Sequence, residues 1–163
     1  MSPNTRLTAF LVCGLLFTDG FATATNFPHG CEVSDYGFVE NDLVLNDQGN
    51  QAFYLIQNRS DKRIELEHIE TRPDVFMSPK LETKFDPSRW AAFASDVPNM
   101  HFRCYTQEND EKVVTNCRDA LDVCRYPRVK FALSNMGNYW VSTNKVIEQV
   151  IKDTVSKGIL LRW

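Results

Sequence analysis

Between Phe38 and about Ser142, short runs rich in β-branched and aromatic residues alternate with polar or proline-containing breaks. That rhythm predicts short antiparallel strands packed as a β-sandwich. Leu43–Leu45 precedes the turn-forming cluster Asn46–Asn50, and Ala52–Gln57 follows it. Arg63–Glu70 alternates most clearly: Ile64, Leu66 and His68 fall on one face, Glu65 and Glu67 on the other, as in a half-buried strand. Further strands are predicted at Lys80–Phe85, Trp90–Ala94, Met100–Tyr105 and Lys112–Thr115. Val129–Leu133 and Asn138–Val141 read as a hairpin around Ser134–Gly137. Pro73, Pro79, Pro87, Pro98 and Pro127 fall in the breaks, where a missing backbone donor harms no ladder.

After Ser142 the period lengthens. Val146, Ile147, Val150, Ile151 and Val155 recur at helical spacing, with Lys145, Glu148, Gln149, Lys152 and Asp153 on the other face. The pattern predicts one amphipathic helix of about four turns, its valines and isoleucines inward. Ser142, Thr143 or Asn144 would cap its start, and Gly158 would end it. Ile159–Trp163 then reads as a short closing strand. The fold class expected is mainly β, α+β at the margin.

The N-terminus has a different character. Arg6 precedes an apolar run from Leu7 to Phe17, and small residues follow at Gly20, Ala22 and Ala24, the order of a secretory signal. Residues 1–22 therefore read as a cleavable signal peptide and 23–163 as a single domain, with cleavage after Ala24 the alternative. The run is too short for a spanning helix, which needs about 20 apolar residues. Cys13 lies inside the run, after Phe10-Leu11-Val12, too early for lipidation at a cleavage site.

Removing that segment leaves Cys31, Cys104, Cys117 and Cys124, an even set suited to a periplasmic, cell-surface or secreted location. Three connectivities are open. HFRCYT and KVVTNC flank the polar stretch Gln107–Glu111, and a hairpin there would join Cys104 to Cys117, leaving Cys31 to pair with Cys124. No C-x-x-C pair suggests zinc. The net charge of −3, with acidic and basic residues interspersed, argues against a nucleic-acid-binding or polybasic membrane surface.

Catalytic patterns are not visible. His29, His68 and His101 are far apart and in no metal-binding spacing, and no G-x-S-x-G elbow or phosphate loop occurs. His101 near Cys104 would matter only if that thiol were free. Glu65, Glu67 and Glu70 read as a solvated strand face, and Asn58-Arg59-Ser60 forms a glycosylation sequon. No catalytic residue, metal or cofactor is expected. Trp90, Phe93, Tyr126, Tyr139, Trp140 and Trp163 read first as core, with stacking surfaces as the alternative. Arg125-Tyr126-Pro127-Arg128 reads as an exposed loop suited to recognition. Arg125, Tyr126, Arg128, Tyr139 and Trp140 are thus the candidate partner-binding residues.

Cys124–Lys145 (CRYPRVKFALSNMGNYWVSTNK), together with Phe53–Asn58, Phe76–Pro79, Trp90–Asp96 and Val155–Trp163, resembles the enhanced-entry B proteins of Legionella-type bacteria. The likeness runs through most of the chain after residue 22. It implies an exported envelope protein associated with entry into host cells, and offers no catalytic residues. The expectation is a non-catalytic protein acting through an envelope or host-surface protein partner. A protein that binds or modifies peptidoglycan or another polysaccharide is the alternative. An assembly factor pairing its strand edges with clients is a weaker third.

Overall fold

The computed structural model describes residues 27–33, 36–45, 51–69, 81–96, 100–131 and 137–161. The signal segment, the turn Asn46–Asn50, Glu70, Pro73, Phe76–Pro79, Pro98, Ser134–Met136 and Trp163 lie outside these residues. The strands are β1 (Tyr36–Val39), β2 (Asp42–Leu45), β3 (Ala52–Asn58), β4 (Ile64–Ile69), β5 (Glu82–Phe85), β6 (Trp90–Ser95), β7 (Met100–Glu108), β8 (Glu111–Thr115), β9 (Leu121–Tyr126), β10 (Val129–Lys130), β11 (Tyr139–Lys145) and β12 (Leu160–Leu161). Among the described residues, two helices join them, α1 (Cys117–Ala120) and α2 (Ile147–Ser156). The chain is mainly β and antiparallel, as its hydrophobic pattern predicts.

One sheet runs in the order β1-β2-β7-β4-β5, with β8 also paired to β7. Its strands alternate: in β4, Ile64 and Leu66 are buried, and in β7, Met100, Phe102, Cys104 and Thr106 are buried. A sheet with one solvated face requires that period of two. The second sheet, β11-β6-β3-β9, is different. Ala52–Ile56 in β3 and all of β6 are buried, because this sheet has apolar cover on both faces. Toward the first sheet it contributes Tyr54, Ile56, Ala91, Phe93 and Val123 to a core shared with Leu43, Leu66, Phe85 and Phe102. On its other face, Phe53, Leu55, Trp90, Ala92, Tyr126 and Val141 pack with Val150 of α2 and with Phe131 and Ile159 beside the β10-β12 ribbon. The sandwich therefore carries a third layer made by α2 and that ribbon.

Both expected disulfides are present, Cys31 with Cys124 and Cys104 with Cys117. Cys104–Cys117 sits in the core between the sheets, where Asn116 caps α1 by accepting a hydrogen bond from Arg118 N–H. Cys31–Cys124 ties the N-terminal segment to β9. Glu32 and Arg125 exchange both backbone hydrogen bonds (2.8 and 2.7 Å), and the Phe27 ring meets Trp90 edge-on at 6.1 Å. That segment covers part of the β9 edge.

Several expectations need correction. Val129 and Val141 do not belong to one hairpin: β10 pairs with β12, and β11 pairs with β6. The expected loop Arg125–Arg128 begins inside β9, whose Arg125 and Tyr126 are buried. Helix α2 buries Val150 and Thr154 and half-buries Ile147 and Ile151, leaving Val146 and Val155 exposed. Thr154 can take an inward position because its hydroxyl donates to the Val150 carbonyl at 2.7 Å. Val146, without a side-chain cap, starts the helix, since Ser142–Asn144 are still in β11. Gly158, at φ 74°, closes it as expected.

Candidate functional site

The outer face of the first sheet carries an organised set of charges. Alternation along β4 turns Glu65 and Glu67 away from the core, and register sets Glu65 beside Lys84 of β5 on one side and Tyr105 of β7 on the other. The β7-β8 hairpin then sets Lys112 opposite Gln107. Lys112 Nζ reaches Glu65 at 2.8 Å and Glu67 at 2.5 Å, and lies 4.3 Å above the Tyr105 ring. Lys84 Nζ meets the other Glu65 oxygen at 3.0 Å. Arg63, Glu82, Gln107 and Asp110 complete a shallow, open groove of about 440 Å³.

This arrangement limits the chemistry. Burial pushes the Glu65 carboxyl upward, but hydrogen bonds and charge from Lys112 and Lys84 outweigh it and hold the group below its ordinary value. A general acid for glycosidic cleavage needs the opposite shift. Oxygens of Glu65, Glu67 and Glu82 all lie within 4.8 Å of one another, a spacing that would suit a cation. Lys112 and Lys84 already pair with two of these three carboxylates, Glu65 and Glu67. The groove is thus a mixed-charge surface, with Arg63, Lys84 and Lys112 set among Glu65, Glu67, Glu82 and Asp110.

The Glu65 shift gives a pH dependence. Its folded value lies below the unfolded one, so its contribution is present above about pH 4.3 and is lost as pH falls through the folded value. Asp153, held down by hydrogen bonds from Ser142 and Gln149, acts in the same direction. The urea midpoint is therefore expected to be level from pH 7 to about 5 and to drop below about pH 4. Glu65→Gln should make that drop shallower; an unchanged acid slope would remove Glu65 from this role.

The five residues singled out for partner binding do not form one surface. Arg125 is 6% exposed and Tyr126 1% exposed, both in β9, while Arg128 is exposed in the turn before β10. Tyr139 and Trp140 are half-buried in β11. The Trp140 ring packs on Phe93 (4.9 Å) and Phe102 (5.6 Å), and Tyr139 lies 5.9 Å beneath the Lys157 ammonium. Trp90 and Phe93 are also core residues. His68 packs edge-on to Phe102 at 5.6 Å, and the disulfide of Cys104 leaves no thiol for His101 to activate.

One polar residue is more central than its sequence context suggests. Asn58 is fully buried at the end of β3. Its amide donates to the carbonyls of Lys62 (2.7 Å) and Phe85 (3.0 Å), and its oxygen accepts from Ser60 N–H (2.9 Å) and Ser60 Oγ (2.7 Å). Next to it, Arg59 donates to the carbonyls of Arg118 (2.6 Å) and Asp119 (3.0 Å), satisfying groups of α1. The sequon is thus a structural junction between β3, the β3-β4 turn, β5 and α1. The alternation of β4 marks Glu65 and Glu67 in sequence, but only strand register brings Lys84 and Lys112 to them.

Set against family models, curated proteins and solved structures, the chain matches none. Among the described residues, no helix is long and apolar enough to cross a membrane.

Proposed function

We propose that this chain is an exported, non-catalytic domain of the bacterial envelope that contributes to invasion of host cells by holding a protein partner. The two disulfides carry the reading. Cys104, Cys117 and Cys124 are fully buried, Cys31 is half-buried, and all four are bonded, as suits a compartment where disulfides persist. The likeness of its long sequence stretches to the enhanced-entry B proteins supplies the biological setting. The mixed-charge groove around Glu65, Lys84 and Lys112 is the contact surface in this reading, because opposite charges in register give specificity and orientation.

Affinity capture from cross-linked bacterial envelopes tests it. A tagged chain is expected to return the same protein partner in repeated captures, and Lys84→Glu, on an exposed side chain, is expected to reduce recovery severalfold. Absence of a reproducible partner overturns the proposal. Recovery unchanged by Lys84→Glu moves the contact away from the groove.

A further inference from the structure

Among the described residues, strand β8 is paired on one side only. The central residues of the β7-β8 turn, Asn109 (φ 49°) and Asp110 (φ 65°), are both left-handed, as a type I′ hairpin requires. In such a hairpin Glu108 and Glu111 exchange both backbone hydrogen bonds. Antiparallel alternation then makes Thr106 with Val113, and Cys104 with Thr115, the next bonded pairs. Lys112 and Val114 consequently turn their N–H and C=O groups away from β7. None of the described residues bonds to those groups.

The side chains leave this edge open. Glu111–Val114 are all exposed, with Val113 at 38% and Val114 at 47% on opposite faces of the strand. An edge lysine commonly blocks pairing with another strand. Here Lys112 is folded back over Tyr105 and held by Glu65 and Glu67, so its ammonium does not guard the edge.

We propose that β8 is a self-association edge: two copies of this chain pair their β8 strands antiparallel about a twofold axis at Val113, fusing their six-stranded sheets into one. The occupant is a second copy because Glu111-Lys112-Val113-Val114-Thr115 is complementary to itself in this register. Val113 faces the partner's Val113. Lys112 faces the partner's Val114, and these are the residues whose backbone groups point outward, so each such pair exchanges both hydrogen bonds. Glu111 faces the partner's Thr115, and no like charges oppose each other. Shifting one way sets Lys112 against the partner's Lys112, which is repulsive. Shifting the other way carries Lys112 past the strand end to the partner's Asn116, the cap of α1. A single short strand pair buries little surface, so the association belongs to the small, transient class.

This inference does not rest on the invasion reading, and its test is separate. Sedimentation equilibrium of the disulfide-intact chain is expected to show a monomer–dimer equilibrium at roughly micromolar to millimolar concentration. Val113→Lys and Val113→Glu should each weaken dimerisation about tenfold or more, since each puts like charges together at the axis. An equimolar mixture of the two should restore it. Val114→Pro removes an outward donor while leaving the bonds to β7, and should also weaken it; circular dichroism checks that each variant is folded. A chain that stays monomeric throughout this range overturns the proposal. So does dimerisation that the Val113 variants leave unchanged, or that their mixture fails to restore.

Discussion

Replacing Cys31 and Cys124 together with alanine is expected to lower the free energy of unfolding by roughly 4.5 kcal/mol, against about 3 kcal/mol for removing Cys104–Cys117. The difference comes from loop length: the first bridge spans 93 residues of sequence and the second 13. A longer closed loop withdraws more conformations from the unfolded chain. Loss of the first bridge also frees the segment that brings Phe27 to Trp90 and Glu32 to Arg125. Urea titration of the two double variants at neutral pH measures both values. A cost below about 1 kcal/mol for the Cys31–Cys124 pair would show that the N-terminal segment lies outside the cooperative unit.

Asn58→Ala is expected to cost about 3 kcal/mol, a large effect for one side chain away from the centre of the apolar core. The side chain is fully buried, and removing it takes a donor from the Phe85 carbonyl and the acceptor from Ser60 N–H, while the Ser60 hydroxyl keeps the Lys62 carbonyl as its partner. Asn58→Asp separates this account from simple loss of volume. A carboxylate can still accept from Ser60, but its other oxygen would face two carbonyl acceptors. That environment raises the folded pKa of the introduced carboxyl above its unfolded value, so the favourable protonated state is lost as pH rises. Relative to the native chain at the same pH, Asn58→Asp should therefore be more destabilised at pH 7 than at pH 4. An equal penalty at both would mean that the carbonyl contacts do not govern the site. Because Asn58 Nδ2 is spent on these bonds, the folded chain does not offer its sequon for glycosylation.

The contrast between α2 and β9 shows where pattern reading succeeds. The inward side of α2 is legible at Ile147, Val150 and Ile151, and it fails at Thr154, whose hydroxyl is satisfied within the helix rather than by solvent. Strand β9 was hidden because Asp122 and Arg125 interrupt its apolar residues and Pro127 follows directly. Its outer edge is met at Arg125 by Glu32, whose distant segment local sequence does not mark. Val129 and Val141 suggested a hairpin through proximity in sequence, whereas the pairing of β10 with β12 depends on α2 returning the chain. The disulfide partners were accessible because a hairpin brings Cys104 and Cys117 together, and two remained. The groove was only half legible: Glu65 and Glu67 announce an outer face, but Lys84 and Lys112 arrive through strand register, which local composition does not encode.

The order of the central sheet also sets a schedule for folding. Strand β3 lies between β6 and β9, and β6 lies between β3 and β11, so both inner strands wait for neighbours made much later. Phe53 pairs with Tyr126, and Phe93 with Trp140. Few of these contacts can form while synthesis is under way, and each must close a long stretch of chain before it is stabilised. The molecule therefore belongs with slow, high-contact-order folders, in the millisecond-to-second range, and its centre is completed last.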